Sequence, residues 1–161
     1  MLELGCGSGQ VTEQLTAAGA MVTAVDALPE MLARARARAP EADFVEADIT
    51  SLELEGSFDR VVLSFVLHNF DAGGRHTVLA QSTERLAPGG AIGILDWATP
   101  RSGLRSRAWS RLLHRLEPSP AVSEILAGCL TRDIQGAGLR VTCQLPAAGG
   151  RAQILVATTS T

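Results

Sequence analysis

Residues 3–9, Glu3-Leu4-Gly5-Cys6-Gly7-Ser8-Gly9, place three alternating glycines at the end of an apolar segment. Glycine takes backbone shapes that a Cβ forbids, and it lets a ligand come close to the main chain. A helix-like pattern begins at once, so the first N–H groups of that helix face whatever lies over the turn. Such a turn is a seat for a nucleotide-like cofactor. Asp26 and Asp48 each close a further apolar segment, and His68 follows another. Histidine has an ordinary pKa suited to moving protons near neutrality. Lysine and tyrosine are absent from the chain, which removes both as catalytic bases. Cys6, Cys129 and Cys143 have neither Cys-x-x-Cys nor metal-ligand spacing, so no metal site is expected.

Two cofactor classes use such a loop. A dinucleotide fingerprint, Gly-x-Gly-x-x-Gly counted from Gly5, needs its third glycine at position 10. That residue is Gln10, and the glycine stands one place earlier, at Gly9. The mismatch counts against an NAD-dependent oxidoreductase.

The elements that must hold these residues alternate between strand and helix with short punctuation, the pattern of a parallel sheet covered on both faces. Leu2 to Leu4 reads as the remnant of a first strand. Val11, Leu15 and Ala18 mark a helix closed by Gly19. A strand over 20–25 ends at Asp26, and Pro29 opens a helix that Pro40 stops. Residues 42–47 form a third strand ending at Asp48. Residues 60–67, apolar apart from Ser64, read as a fourth strand buried on both faces. A helix over 74–86 stops at Ala87-Pro88-Gly89-Gly90, and 91–95 is a fifth strand. Residues 101–120 form a helical insertion, and 121–138 read as one helix. Residues 139–145 and 152–158 close the edge as an antiparallel hairpin.

At 161 residues, 46% of them hydrophobic and 19% charged, the chain suits a single globular domain over 1–161. A net charge of −3 and 4% aromatic residues give no basic, stacking surface for nucleic acid. No apolar run reaches the length of a membrane span. The expectation is a cytoplasmic protein with no membrane partner.

The landmarks together resemble the class I methyltransferases, which use S-adenosylmethionine (SAM). Residues 3–9 resemble the family's first motif. Val25-Asp26-Ala27-Leu28-Pro29-Glu30-Met31-Leu32 resembles the second, and Glu46-Ala47-Asp48-Ile49 the third-strand motif. Phe58 to Ser64 with Phe65-Val66-Leu67-His68 resembles the fourth-strand motif, and Leu86-Ala87-Pro88-Gly89-Gly90 the turn before strand five. The resemblance implies a Rossmann-like, doubly wound, mostly parallel seven-stranded sheet with a C-terminal antiparallel hairpin. It further implies SAM as cofactor and a small-molecule methyl acceptor as partner.

Under that resemblance Glu3, Gly5, Cys6, Gly7 and Gly9 cradle the cofactor, with Ser64 and Phe65 near its far side. Asp26, with two acceptor oxygens, suits a pair of ribose hydroxyls beside Ala27. Asp48 and the Ile49 backbone suit the adenine edge, and Leu28 and Met31 its faces. Asp26 could also cap the helix begun by Pro29, Asp48 could be an ordinary turn residue, and Leu28 and Met31 could be core.

A sulfonium is a good leaving group, so alignment and exclusion of water supply most of the catalysis. If a base is needed, His68 is the candidate, or it merely caps the loop before Asn69. Asp96 and Trp97, at the end of strand five, and Trp109 in the insertion are candidates for the acceptor's side. The arginines of the insertion either attract an anionic substrate from a lid or form the solvated face of a packed amphipathic helix.

Family members carry lid helices ahead of the first strand. With none before Met1, the expectation is an N-terminally truncated domain whose native polypeptide starts upstream. If the polypeptide instead starts at Met1, a homodimer could supply the missing cover, or the chain is a noncatalytic SAM-binding remnant.

Overall fold

A computed structural model describes residues 1–100, 104–116 and 118–159, with the side chains of 104–107 and 114 outside the description. Its strands are β1 (Leu2–Leu4), β2 (Thr23–Asp26), β3 (Asp43–Glu46), β4 (Phe58–Ser64), β5 (Leu86–Trp97), β6 (Leu139–Ala147) and β7 (Ala152–Thr159). The helices are α1 (Gln10–Ala17), α2 (Pro29–Arg38), α3 (Ala72–Glu84), α4 (Leu104–Leu116), α5 (Pro120–Leu126) and α6 (Leu130–Gly136).

The seven strands form one sheet in the order β3-β2-β1-β4-β5-β7-β6. All neighbouring pairs from β3 to β5 are parallel, and β7 runs antiparallel to both β5 and β6. This is the doubly wound, mostly parallel sheet with a closing hairpin that the sequence predicts. Strand order reverses at β1, so the carboxyl ends of β1, β2 and β4 meet over one crevice.

Alternation along β2 divides the core. Ala24 packs with Leu32 and Ala35 of α2 and with Cys6 and Val22. Val25 belongs instead to the main core with Leu2, Leu4, Leu63, Ile94 and Leu155, closed by Val78 of α3, Ile125 of α5 and Ile134 of α6. Helices therefore cover opposite faces, as right-handed crossovers require.

Several boundaries differ from the sequence reading; the second strand begins at Thr23 rather than Ala20, and the third helix spans Ala72–Glu84. The fourth strand ends at Ser64 rather than Leu67, because Phe65 turns left-handed (φ +54°) and a single 3-10 turn, Leu67–Asn69, follows. The helix expected over 121–138 is two helices. Gly128 (φ +87°) closes α5 in a Schellman turn, its N–H reaching Ile125 O while the Cys129 N–H reaches Glu124 O. The fifth strand begins at Leu86 and absorbs the expected stop at 87–90, with a register shift against β4 between Phe58 and Arg60.

Both sheet edges are irregular or short. β6 carries Arg140, a register shift between Val141 and Cys143, and Pro146. β3 has four residues, with Asp43 and Glu46 at its ends.

Candidate functional site

Each glycine of the loop answers a different demand. Gly5 (φ +73°) follows β1, and its N–H and that of Cys6 both donate to Val25 O, tying the loop to β2. A Cβ on Gly5 would stand 2.6 Å from Val66 Cγ2, and one on Gly9 2.8 Å from Ala35 Cα. Both therefore let backbone pack closely. Gly7 (φ +53°) has nothing within 4 Å of that position, so it is the glycine that leaves open space above the turn.

Asp26 holds the loop from the next strand. Its Oδ2 accepts from Gly7 N–H at 2.8 Å and its Oδ1 from Leu28 N–H at 3.0 Å. The helix-cap reading of Asp26 does not hold, because the N-cap of α2 is Leu28 and no side chain caps it. A carboxylate has about four lone-pair sites, so each oxygen keeps capacity for a hydroxyl donor. Asp48 Oδ1 accepts from Thr50 N–H at 2.8 Å and Thr50 Oγ1–H at 2.7 Å, which holds its carboxyl below the ordinary range.

Gly5, Gly7, Asp26, Ala27, Leu28, Met31, Asp48, Ile49 and Phe65 line one cavity of about 470 Å³. Val66, Asn69 and Phe70 complete its wall, and the sequence reading assigned none of the three. They reach the cleft only because the backbone reverses at Phe65, an event with no propensity signal, since a phenylalanine rarely takes positive φ.

The remaining predicted cofactor residues sit behind this wall. Ser64 ends β4, and Gly9 backs onto α2. Cys6 is buried, and burial, aided by the charges of Glu3 and Asp26, pushes its thiol up to about 12, so it is a packed and unreactive group. Glu3 is 1% exposed and accepts the Thr12 hydroxyl at 2.6 Å, joining β1 to α1 under the loop.

Burial raises the Glu3 carboxyl from 4.5 to about 7, against a smaller lowering by Thr12. Between those values the folded chain binds more protons than the unfolded one. Stability should therefore fall as pH rises through this window and level off above it, by about 3 kcal/mol in all. Thermal melts of the wild type and Glu3→Gln from pH 4 to 8 check this. The glutamine keeps the acceptor for Thr12 and should remove most of the dependence.

A second group adjoins the cavity at Phe65. His68 Nδ1 lies 2.9 Å from Asp96 Oδ1, and the two side chains are 10% and 0% exposed. Asp96 also accepts from the His68 backbone N–H at 3.2 Å and the Trp97 N–H at 2.8 Å. These contacts fix the orientation of the His68 ring against the end of β5. The rings of Phe65 and Trp97 are 4.7 Å apart, Phe65 and His68 6.1 Å, and Trp97 and Trp109 6.0 Å. The Arg151 guanidinium stands 4.8 Å above the Trp109 ring. His68, Asp96, Trp97 and Trp109 thus come together at the carboxyl ends of β4 and β5. Of the insertion's arginines, Arg101 and the side chains of Arg105 and Arg107 lie outside the described residues.

Comparison with known proteins bears on the family and the fold. A family model described as "Methyltransferase domain" matches residues 1–90. The uncharacterized methyltransferase sll0829 of Synechocystis sp. is 34% identical over 105 residues, which cover 65% of this chain and 50% of that protein. A demethylmenaquinone methyltransferase of Renibacterium salmoninarum is 30% identical over 122 residues, covering 75% and 51%. The chain spans about half the length of these curated relatives. Among solved structures, the glycopeptide N-methyltransferase MtfA complexed with SAM superposes with a TM-score of 0.77 at 19% identity, covering 99% of this chain and 86% of that one. A TehB-like SAM-dependent methyltransferase from Corynebacterium glutamicum gives 0.72 at 21%, covering 99% and 79%.

Proposed function

From the premise that this chain belongs to the methyltransferase-domain family, we propose that it transfers a methyl group from SAM to a small-molecule acceptor. The observation that carries this reading is the single cavity into which Gly7, Asp26, Asp48 and Phe65 project from the ends of consecutive strands and their loops. Family membership also sets aside the nicotinamide-dependent alternative. In this reading residues 1–161 work as one domain, with α4 as an insertion after β5.

The residues fit the cofactor. The open space at Gly7 gives a backbone cradle that any Cβ would narrow. Asp26 and Asp48 offer acceptors to hydroxyl and amino donors, and Leu28 and Met31 offer apolar faces for a flat ring. When bound, SAM supplies a methyl group on a sulfonium, which needs no covalent help to leave. The chain's part is to orient the acceptor, exclude water and take a proton. His68 is placed for the last task. The ring takes the acceptor's proton, while Asp96 holds it at Nδ1 and stabilises the imidazolium that forms. Trp97 and Trp109 wall the acceptor's side.

The acceptor itself is left open by the fold. One relative is named for demethylmenaquinone and one structural neighbour for a glycopeptide.

Calorimetry with SAM, S-adenosylhomocysteine and NAD tests the reading. Heat with the first two and none with NAD is expected. Asp26→Ala should weaken SAM binding at least tenfold, about 1.4 kcal/mol, because it removes the ribose acceptors and frees the Gly7 N–H from its tie. Equal affinity in the variant removes Asp26 from the site, and no heat with SAM overturns the proposal.

A further inference from the structure

Helix α4 has more apolar surface than its packing uses. Trp109 and Leu113 face inward against Val122 and Leu126 of α5 and against Trp97. Leu112 and Leu116, one turn apart, remain 48% and 67% exposed. Arg111 and Arg115 are exposed beside them. The sequence of α4 holds four arginines, at 105, 107, 111 and 115, and no aspartate or glutamate, in a chain whose net charge is −3. Burial in the fold thus accounts for half of the apolar stripe and for neither Arg111 nor Arg115.

The partner must satisfy both features. A nucleic acid would pair with the arginines and leave the leucines in water. An apolar groove on another protein would cover the leucines and strand the arginines. A second copy of this chain is an outcome that the test below separates from a bilayer. The headgroup region of an anionic bilayer meets both demands at once. Leucines enter the acyl boundary while arginine stems lie along it and their guanidinium groups stay among the phosphates. Attraction of each cation to the charged leaflet acts within a Debye length, and the four arginines outnumber Glu117 and Glu124 nearby in the sequence.

We infer that α4 docks the protein on the surface of an anionic phospholipid bilayer, lying in the plane of the interface. No helix among the described residues is long and apolar enough to cross a membrane, so the contact is peripheral. This departs from the sequence-based expectation of no membrane partner. The inner side of α4 carries Trp109 against Trp97. Docking therefore brings the acceptor's side of the site to the lipid surface and favours a lipophilic acceptor taken up from it. That last clause rests on the methyltransferase reading, and the docking does not.

Sedimentation of the full 161-residue chain with phosphatidylcholine vesicles, with and without phosphatidylglycerol, tests the inference. Pelleting with the anionic vesicles alone is expected, with release by salt. Leu112→Gln/Leu116→Gln and Arg111→Gln/Arg115→Gln should each lower the bound fraction at least tenfold. Circular dichroism and melting of both variants report that they are folded. Absence of pelleting, equal pelleting with neutral vesicles, or unchanged pelleting in either variant overturns the inference. So does a dimer, seen by light scattering, or an RNA complex that the same substitutions abolish while vesicle binding persists. Vesicle docking without SAM heat keeps the docking and overturns the methyltransferase reading. SAM heat without docking does the reverse.

Discussion

Replacing His68 by alanine should lower methyl transfer to a protic acceptor by about 10²–10⁴-fold while SAM affinity changes little. The expectation follows from the geometry around Asp96. Its buried carboxylate holds the ring Nδ1 and accepts from two backbone N–H groups, so the ring's orientation is set. In the proposed reading the ring serves the acceptor's side and is not among the residues lining the cofactor cavity, hence the separation of turnover from cofactor affinity. Single-turnover rates at saturating SAM, with the acceptor identified, measure the effect. Asp96→Asn should reproduce much of the loss, because an uncharged amide does not stabilise the imidazolium that forms. Full turnover in His68→Ala would leave the dyad a purely structural contact.

Arg75→Met should destabilise the fold by about 3–5 kcal/mol, measured by urea unfolding. Arg75 is 1% exposed, yet each of its three guanidinium nitrogens has a partner. Nε donates to Asp133 Oδ2 at 2.6 Å, Nη2 to Glu124 Oε2 at 2.6 Å and Nη1 to Phe70 O at 2.7 Å. One side chain on α3 thereby joins α5, α6 and the 3-10 turn that carries His68. Methionine refills the space of the stem and satisfies none of those acceptors. The side chain of Glu124 is 46% exposed and can turn to water, but that of Asp133 is only 17% exposed and keeps most of the penalty. Arg75→Met/Asp133→Leu should therefore recover part of the loss. A single substitution costing under 1 kcal/mol would contradict this account.

The sequence made much of this architecture legible because the cues were local. Gly19 ends α1 where a left-handed residue is needed, and its neighbour's N–H closes the turn on Leu15 O. Pro29 opens α2 with a φ already set for a helix. The glycine loop and the acids after β2 and β3 are read from their position at strand ends. What stayed hidden depends on distant partners. Phe65 reverses the chain only because its N–H is held by Leu95 O on β5 and its ring by Trp97, and this turns Val66, Asn69 and Phe70 into the cavity. Arg75 follows two glycines and precedes a histidine, a polar stretch that reads as solvent-facing. Its burial is decided by Glu124 and Asp133, about fifty residues later. Gly128 sat inside a helical pattern, and its role as a stop emerges from the Schellman bonds rather than from composition.

The irregular rims of the sheet bear on how crowded copies behave. A strand left at a rim is a template on which another chain can add hydrogen bonds without limit. Here the outer side of β6 is interrupted by a proline that cannot donate and a bulge that bends the ladder, with a cation near its start. The opposite rim is four residues long and bounded by carboxylates that repel their own kind. Both rims thus carry features that disfavour the addition of a further strand.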